Sequence, residues 1–104
     1  MDSQSRNMDP QDRAKEPLAR QRQRIDELDE RIVALLNERM DIALKIGRIK
    51  ARQGISVLDQ GREALVLHRL HGLNQGPLSN DDLDRIYRTI MTVSRGLQGR
   101  LGNS

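Results

Sequence analysis

The sequence contains no cysteine, no tryptophan and no phenylalanine, and Tyr87 is its single aromatic residue. The lack of cysteine excludes disulfide bonds, thiolate metal sites and cysteine nucleophiles. The lack of aromatic residues means that any core is aliphatic, built from Leu, Ile, Val, Met and Ala. The chain has 104 residues, and 32% of them are charged. A core this small favours helices that bury their apolar faces by oligomerising.

Long apolar runs are also absent. No apolar run approaches the roughly 20 residues that a membrane-spanning helix needs. The polar N-terminus, residues 1–17, contains no apolar segment of the kind found in a secretory signal. The sequence therefore predicts a cytoplasmic protein that does not associate with membranes.

The excess of positive charge is small, with a formal net charge of +3. Most basic residues alternate with acidic ones, as in the segment DELDER at residues 26–31. Because there is neither a basic block nor a set of stacking aromatic residues, we expect no nucleic-acid partner. His68 and His71 have no third ligand placed with them, so we expect surface histidines and no metal site. A small anionic ligand, held by a few cations, is the partner that this composition leaves open.

The N-terminal segment is followed by a long helical pattern. Residues 1–17 are polar and without periodicity, which predicts a disordered tail. From residue 18 to residue 53 the apolar residues are spaced by three and four, which predicts one helix with Gly54 as its C-cap. Such a helix is roughly 50 Å long at about 1.5 Å per residue, longer than any compact fold this chain makes alone. We therefore expect a dimer.

Two shorter helices follow the long one. Asp59 is a good N-cap for a second helix, which ends at the strong breaker of residues 74–77. Residues 79–82 resemble a capping box, with Asp in place of Glu, and predict a third helix over about 80–99. The predicted fold is all-α, with a long, a short and a medium helix, and residues 102–104 form a C-terminal tail.

Two cations interrupt the apolar stripe of the first helix. Arg39 occupies a core-type position, where a guanidinium is costly unless it is paired. Lys50 lies eleven residues further on, which returns it to within about 20° of Arg39 on the helix face. The two side chains are placed to flank one anionic site. Taken alone, however, they favour a structural interpretation, as snorkelling side chains or a polar position that sets register.

Polar residues of the other two helices also allow either a structural or a ligand-binding interpretation. Ser94 and Gln98 are four apart and share one face of the third helix. We expect the pair either to form interhelical hydrogen bonds or to act as two neutral donors to a ligand. Arg62 and Glu63 follow the Asp59 cap. Their charges are either the ordinary electrostatics of a first helical turn, or a cation and a hydrogen-bond acceptor at the rim of a pocket.

Arg22 adds a geometric restriction. It precedes Arg39 by seventeen residues, which is about 25 Å along one helix, and it points about 100° away around the axis. Two residues so far apart serve one small ligand only if they come from different copies of the chain. An antiparallel, intertwined dimer satisfies this condition.

Over residues 18–101 the sequence resembles the all-helical (AroQ-type, type II) chorismate mutases. Each matching block is weak by itself, but their order and spacing are specific. They are Arg22-Gln-Arg-Ile-Asp-Glu-Leu-Asp29 with Leu35-Leu-Asn-Glu-Arg39 and Ile46-Gly-Arg-Ile-Lys50, then Val57-Leu-Asp-Gln-Gly-Arg-Glu63, then Ile90-Met-Thr-Val-Ser-Arg-Gly-Leu-Gln98.

The resemblance implies a fold and a reaction. The fold is an intertwined homodimer of three-helix chains with two equivalent active sites, and residues 18–101 form the mutase domain. The reaction is the Claisen rearrangement of chorismate to prephenate, on the way to phenylalanine and tyrosine, without a cofactor. Domains of this kind stand alone or are fused to a dehydratase, dehydrogenase or synthase, and the sequence fits either arrangement.

The resemblance also implies roles at the substrate's charged groups and at its ether oxygen. Arg22 of the partner subunit reaches one substrate carboxylate, and Arg39 binds a carboxylate within its own subunit. Ser94 assists at a carboxylate. Lys50 and Gln98 hydrogen-bond the ether oxygen, which makes them the catalytic residues together with Arg39.

Three further residues are implied at the substrate's ring. Arg62 and Glu63, with the backbone at Asp59, hold the ring and its hydroxyl group. The sequence departs from the family in two places nearby. Ser56 stands where the family often has Pro, and Gly61 stands where a better helix former is usual, so both residues loosen the 54–62 loop.

Three alternative functions stay open. Isochorismate pyruvate-lyases share the fold but lack the Glu that meets the chorismate hydroxyl, so Glu63 and Ser94 favour the mutase. An aminodeoxychorismate mutase acts on a substrate that differs only in its ring substituent. A non-catalytic helical dimerisation module is the third alternative, and it would tolerate apolar replacements of Arg39, Lys50 and Gln98.

Overall fold

The computed structural model describes residues 10–102, with the side chains of residues 15–100. It contains three helices, which are α1 (Pro10–Gln53), α2 (Gln60–Leu73) and α3 (Asn80–Gly102), and this described part has no strand. The predicted all-α class and the order of a long, a short and a medium helix are confirmed. The chain divides into two compact units, Met1–Asn37 and Glu38–Ser104.

Helix extends further than predicted at both ends of the chain. α1 begins at Pro10, so the prediction of a disordered tail is wrong for residues 10–17. Proline is favoured at a first helical position, and the residues after Pro10 are mostly good helix formers that lack the apolar periodicity by which a helix is recognised. At the other end, Gly102 belongs to α3 rather than to a tail. Residues 1–9 and 103–104 lie outside the described part.

The described part of the first unit is residues 10–37, which belong to α1. Six of its large apolar side chains are between 44% and 60% exposed, so they are not buried in a core of the described chain. No described helix combines the length and the apolar character that crossing a membrane requires. The exposed residues are Leu18, Ile25, Leu28, Ile32, Val33 and Leu35.

The C-terminal end of α1 is closed by a Schellman motif. Gly54 has φ +67°, a left-handed conformation that glycine adopts without steric cost. Its N–H donates to the carbonyl of Ala51 at 3.4 Å, and the N–H of Ile55 donates to the carbonyl of Lys50 at 2.9 Å. The predicted C-cap at Gly54 is confirmed, and it ends the helix within one turn of Lys50.

The two shorter helices begin at their predicted caps. The Asp59 carboxylate accepts a hydrogen bond from the backbone N–H of Arg62 at 2.9 Å. The Ser79 hydroxyl accepts one from the backbone N–H of Asp82 at 3.0 Å. Each cap satisfies an N–H group that has no partner within its helix, and so it fixes where α2 and α3 start.

The core of the second unit is small and almost wholly aliphatic. Val66, Leu67 and Met91 are buried, and Leu70 and Tyr87 pack against them. These residues join α2 to α3, in agreement with the predicted shortage of aromatic side chains.

A backbone contact at Gly47 joins α1 to α3. A Cβ atom on Gly47 would lie 2.8 Å from the Cα of Gln98 and 3.2 Å from its carbonyl oxygen. Only glycine allows the two helices to come this close. The contact places the last turns of α1 directly against the part of α3 that carries Gln98.

Candidate active site

A cavity of about 330 Å³ lies within the second unit. Its lining comes from the end of α1, the connector that follows, the first turns of α2, and the second half of α3. The lining residues are Arg39, Ile42, Ala43, Ile46, Lys50, Val57, Asp59, Arg62, Glu63, Val66, Met91, Ser94, Arg95 and Gln98.

The structure brings together seven of the eight residues that the sequence singled out. Arg22 is the exception, because it belongs to the first unit and does not line the cavity. The seven that line it are Arg39, Lys50, Asp59, Arg62, Glu63, Ser94 and Gln98.

Arg39 is held in the cavity by Ser94. Its Nη1 donates to the Ser94 hydroxyl oxygen at 2.8 Å, and that hydroxyl donates to the carbonyl of Ile90 at 3.0 Å. Ser94 is only 6% exposed, so its position is fixed by packing. Within the described residues no carboxylate forms an ion pair with Arg39. The guanidinium therefore keeps its charge and most of its donors for a ligand.

Lys50 and Gln98 form a second polar pair. The Lys50 ammonium donates to the Gln98 amide oxygen at 3.2 Å and to the Val57 carbonyl at 3.1 Å. Because an ammonium only donates, it fixes the amide with its oxygen toward Lys50. The amide N–H₂ group has no hydrogen-bond partner in the described chain and is left to donate, as is the third N–H of the ammonium.

The contacts of Ser94 and Gln98 bear on the two interpretations that the sequence allows for this pair. Ser94 and Gln98 do make interhelical hydrogen bonds, to Arg39 and Lys50. Each bond nevertheless leaves N–H groups of its pair without a partner in the described chain. The predicted interhelical hydrogen bonds are therefore present, and a ligand-directed role of these side chains stays a prediction.

The rim of the cavity is formed by the start of α2. Oδ1 of the Asp59 carboxylate caps the helix by accepting from the backbone N–H of Arg62, so this oxygen is already engaged at the rim. Arg62 is exposed and Glu63 is partly buried. The two are adjacent in sequence, and both line the cavity.

Arg95 is a cavity residue that sequence reasoning missed. Its Nη1 donates to Oε2 of Glu63, and its Nη2 donates to the Thr92 hydroxyl at 3.3 Å. The only sequence signal was its spacing, three residues before Gln98 and four after Met91, which places it beside the inward face of α3.

The charged groups of the cavity suit a dianion. Four cations and two carboxylates line it, a formal balance of +2. Among the described residues no cluster of His, Cys, Asp or Glu could hold a metal ion. The cations are Arg39, Lys50, Arg62 and Arg95, and the carboxylates are Asp59 and Glu63.

The chain matches a known family over most of its length. The model of the family described as chorismate mutase type II matches residues 21–99. The chain is 39% identical over 83 residues to a bifunctional chorismate mutase/prephenate dehydratase of Stutzerimonas stutzeri, which covers 74% of this chain and 22% of the relative. The chain thus spans about a fifth of the length of the bifunctional relatives that it matches.

Two relatives of similar size to this chain match as well. A chorismate mutase of Methanocaldococcus jannaschii is 30% identical over 84 residues, covering 80% of this chain and 85% of the relative. A 4-amino-4-deoxychorismate mutase of Streptomyces venezuelae is 32% identical over 81 residues, covering 72% of this chain and 74% of the relative.

Proposed function

Because the chain belongs to the type II chorismate mutase family, we propose that its cavity binds chorismate and catalyses the Claisen rearrangement to prephenate. The observation that carries this proposal is the Lys50–Gln98 pair, which is fixed in place and keeps free N–H donors in a cavity of net positive charge. The proposed role is an isomerase of aromatic amino acid biosynthesis that acts in the cytoplasm.

The first task of the site is to hold a dianion in a compact, chair-like geometry. Arg39 offers a planar fork of donors that matches a carboxylate. Ser94 fixes that fork through the 2.8 Å hydrogen bond, and Arg62 adds a cation at the rim. Holding the two reacting carbon atoms close together removes much of the entropy cost of the reaction.

The second task is to stabilise charge that appears only in the transition state. The ether C–O bond breaks while a new C–C bond forms, so negative charge grows on the ether oxygen. The free N–H of Lys50 and the amide N–H₂ of Gln98 are proposed to donate to that oxygen. Donors fixed before the reaction stabilise the developing charge without reorganising. The rearrangement is intramolecular, and the proposal involves no cofactor, nucleophile or second substrate.

The ring of the substrate is assigned to the start of α2. Glu63 is proposed to accept a hydrogen bond from the ring hydroxyl, and Arg62 with the backbone at Asp59 is proposed to form the wall beside it. Glu63 also separates this proposal from an isochorismate pyruvate-lyase, which lacks that carboxylate.

A second copy of the chain is proposed to complete each site with Arg22 of the partner subunit. Two observations support an intertwined homodimer. Six large apolar side chains of the first unit are exposed in the single chain, and Arg22 is absent from the cavity lining although it matches the family's motif. The mutase domain is proposed to span residues 18–101.

A second candidate substrate is 4-amino-4-deoxychorismate. The relative from Streptomyces venezuelae supports it, since that protein is named for the rearrangement of the amino compound. Both compounds carry the same two carboxylates and the same ether linkage, so Arg39 and the Lys50–Gln98 pair serve either one.

The test is a turnover assay with product identification. Purified protein is mixed with chorismate, the loss of chorismate absorbance is followed in the ultraviolet, and the product is identified by NMR. We expect enzyme-dependent formation of prephenate. Faster turnover of the amino compound would support the second candidate, and release of pyruvate from isochorismate would support the lyase. A folded dimer that converts none of the three would leave only the dimerisation module.

A further inference from the structure

Building on the proposed function, we propose that Arg95 determines substrate specificity: by pairing with Glu63, it makes the cavity prefer a ring hydroxyl over a ring ammonium group. The inference concerns the substituent by which chorismate and its 4-amino analogue differ. It rests on the contact between two partly buried side chains, Arg95 at 30% and Glu63 at 26% side-chain exposure.

The geometry of the pair leaves one acceptor available. Arg95 donates to Oε2 of Glu63 through Nη1, while its Nη2 is turned toward Thr92. In the described chain, no side-chain hydrogen bond reaches the other carboxylate oxygen, Oε1 of Glu63. That oxygen remains free to accept one hydrogen bond from a group on the ligand.

The charge of the pair decides which group suits that acceptor. A hydroxyl is neutral and needs only an acceptor oxygen. An aliphatic amine is protonated near neutral pH, and an ammonium group gains most from a carboxylate whose charge is not already balanced. The Arg95 guanidinium balances Glu63 and repels a second cation placed beside it. The pair therefore disfavours the ammonium while leaving the hydroxyl bond intact.

Two other roles for Arg95 lead to different expectations. As a clamp for a substrate carboxylate, it would serve both compounds equally, because both carry the same carboxylates. As a tether between α2 and α3, it would affect stability without affecting the choice of substrate. The ratio of the two specificity constants separates these roles from the proposed one.

The experiment measures kcat/KM for chorismate and for 4-amino-4-deoxychorismate with the full chain. Arg95→Met removes the charge and keeps an apolar stem, and Arg95→Lys keeps the charge. Arg88→Met is the matched control, since Arg88 is an exposed arginine of the same helix outside the cavity lining. Circular dichroism and light scattering verify that each variant keeps its helicity and oligomeric state.

We expect the wild-type protein to favour chorismate by at least about 10-fold, which is about 1.4 kcal/mol of discrimination. Arg95→Met should lower that ratio by at least about 10-fold, Arg95→Lys should stay within about 3-fold of it, and Arg88→Met should leave it unchanged. An equal loss of kcat/KM for both compounds in Arg95→Met, or an unchanged ratio, would overturn the inference.

The experiment still tests the role of Arg95 if Arg95→Met does not fold or if the wild-type protein shows no preference for chorismate. If Arg95→Met does not fold, Arg95→Gln removes the same charge with a polar side chain and is held to the same expectation. The wild-type ratio is itself a test, because a protein that favours the amino compound would refute the proposed role of Arg95. Wild-type protein that converts neither compound would instead refute the proposed function, so the two failures are distinguishable.

Discussion

At the scale of single residues, Lys50 connects three parts of the cavity. It stands in the last turn of α1, donates to the connector at Val57 and donates to α3 at Gln98. The Schellman motif at Gly54 ends α1 one turn later, so the connector returns within reach of the ammonium. Local capping geometry therefore contributes directly to the placement of a proposed catalytic group.

Removing the Lys50 ammonium should mainly affect the chemical step. We expect Lys50→Ala to lower kcat by at least about 10²-fold, because the developing charge on the ether oxygen loses a fixed donor. Steady-state kinetics on chorismate measure this effect. Lys45→Ala is the control, since it removes an exposed lysine of the same helix outside the cavity. A near-normal kcat in folded Lys50→Ala protein would remove Lys50 from the mechanism.

The donor at position 98 should set the pH dependence of the rate. An amide does not titrate, so we expect this donor to give a flat profile of kcat/KM between about pH 5 and pH 8. In Gln98→Glu the side chain donates only when it is protonated, so the rate should fall as the pH rises. Rate measurements across this range compare the two proteins. A steep loss of wild-type rate above neutral pH would argue against the role of Gln98.

The residues that the sequence singled out and those that it missed differ for a physical reason. Arg39, Ser94 and Gln98 interrupt apolar stripes, so helical periodicity is enough to reveal that they point inward. Arg95 lies beside the stripe and enters the cavity only because its long side chain turns toward Glu63. Such a contact depends on the position of α2 beside α3. The periodicity of the α3 sequence does not determine that position.

At the scale of helices, the ends that depend on local caps were predictable. Gly54, Asp59 and Ser79 act through neighbouring backbone groups, and the structure has each cap where the sequence predicted it. The start of α1 was not predictable from apolar periodicity, since the sequence of residues 10–17 lacks the apolar spacing of three and four by which a helix is recognised. The Gly47 contact was also not predictable, because it depends on a backbone far away in sequence.

Two glycine-to-alanine substitutions test the close contact between α1 and α3. We expect Gly47→Ala to destabilise the protein by about 1–3 kcal/mol, because the added Cβ meets the backbone of Gln98 at 2.8 Å. The same displacement should lower kcat by moving Gln98 relative to Lys50. Thermal unfolding and steady-state kinetics measure the two effects.

Gly61→Ala is the matched comparison in α2. There the added Cβ would lie 3.6 Å from the Asp59 carboxylate, an ordinary contact. We therefore expect stabilisation of about 0.5–1 kcal/mol from the better helix propensity of alanine. Equal effects of the two substitutions on the midpoint of thermal unfolding would contradict the close contact at Gly47.

At the scale of the whole molecule, the proposed dimer accounts for the exposed apolar stripe of the long helix. The described part of the single chain has a small core and leaves six large apolar side chains of its first unit exposed. The need for burial was predictable from the length of the apolar stripe. A second copy of the chain in an intertwined arrangement stays a prediction, because such an arrangement depends on a surface formed by two chains.

The proposed dimer should be sensitive to charge on this stripe. We expect light scattering to give twice the chain mass of 11.9 kDa. Ile32→Glu should shift the protein toward monomer and lower its activity, because an apolar residue at a buried interface is replaced by an unpaired charge. Gln23→Glu adds the same charge at an exposed polar position of α1 and serves as the control. A wild-type monomer with full activity would contradict the dimer.

Subunit complementation tests the central claim most directly, namely that two chains share each chorismate mutase site. Chains carrying Arg22→Ala or Lys50→Ala are co-expressed with different affinity tags, and the mixed dimers are isolated by tandem purification. Each parent variant should be nearly inactive. The mixed dimer should recover about half of the wild-type activity, since one of its two equivalent sites contains both native residues. Mixed dimers that are no more active than the mean of the two parents would contradict the shared site.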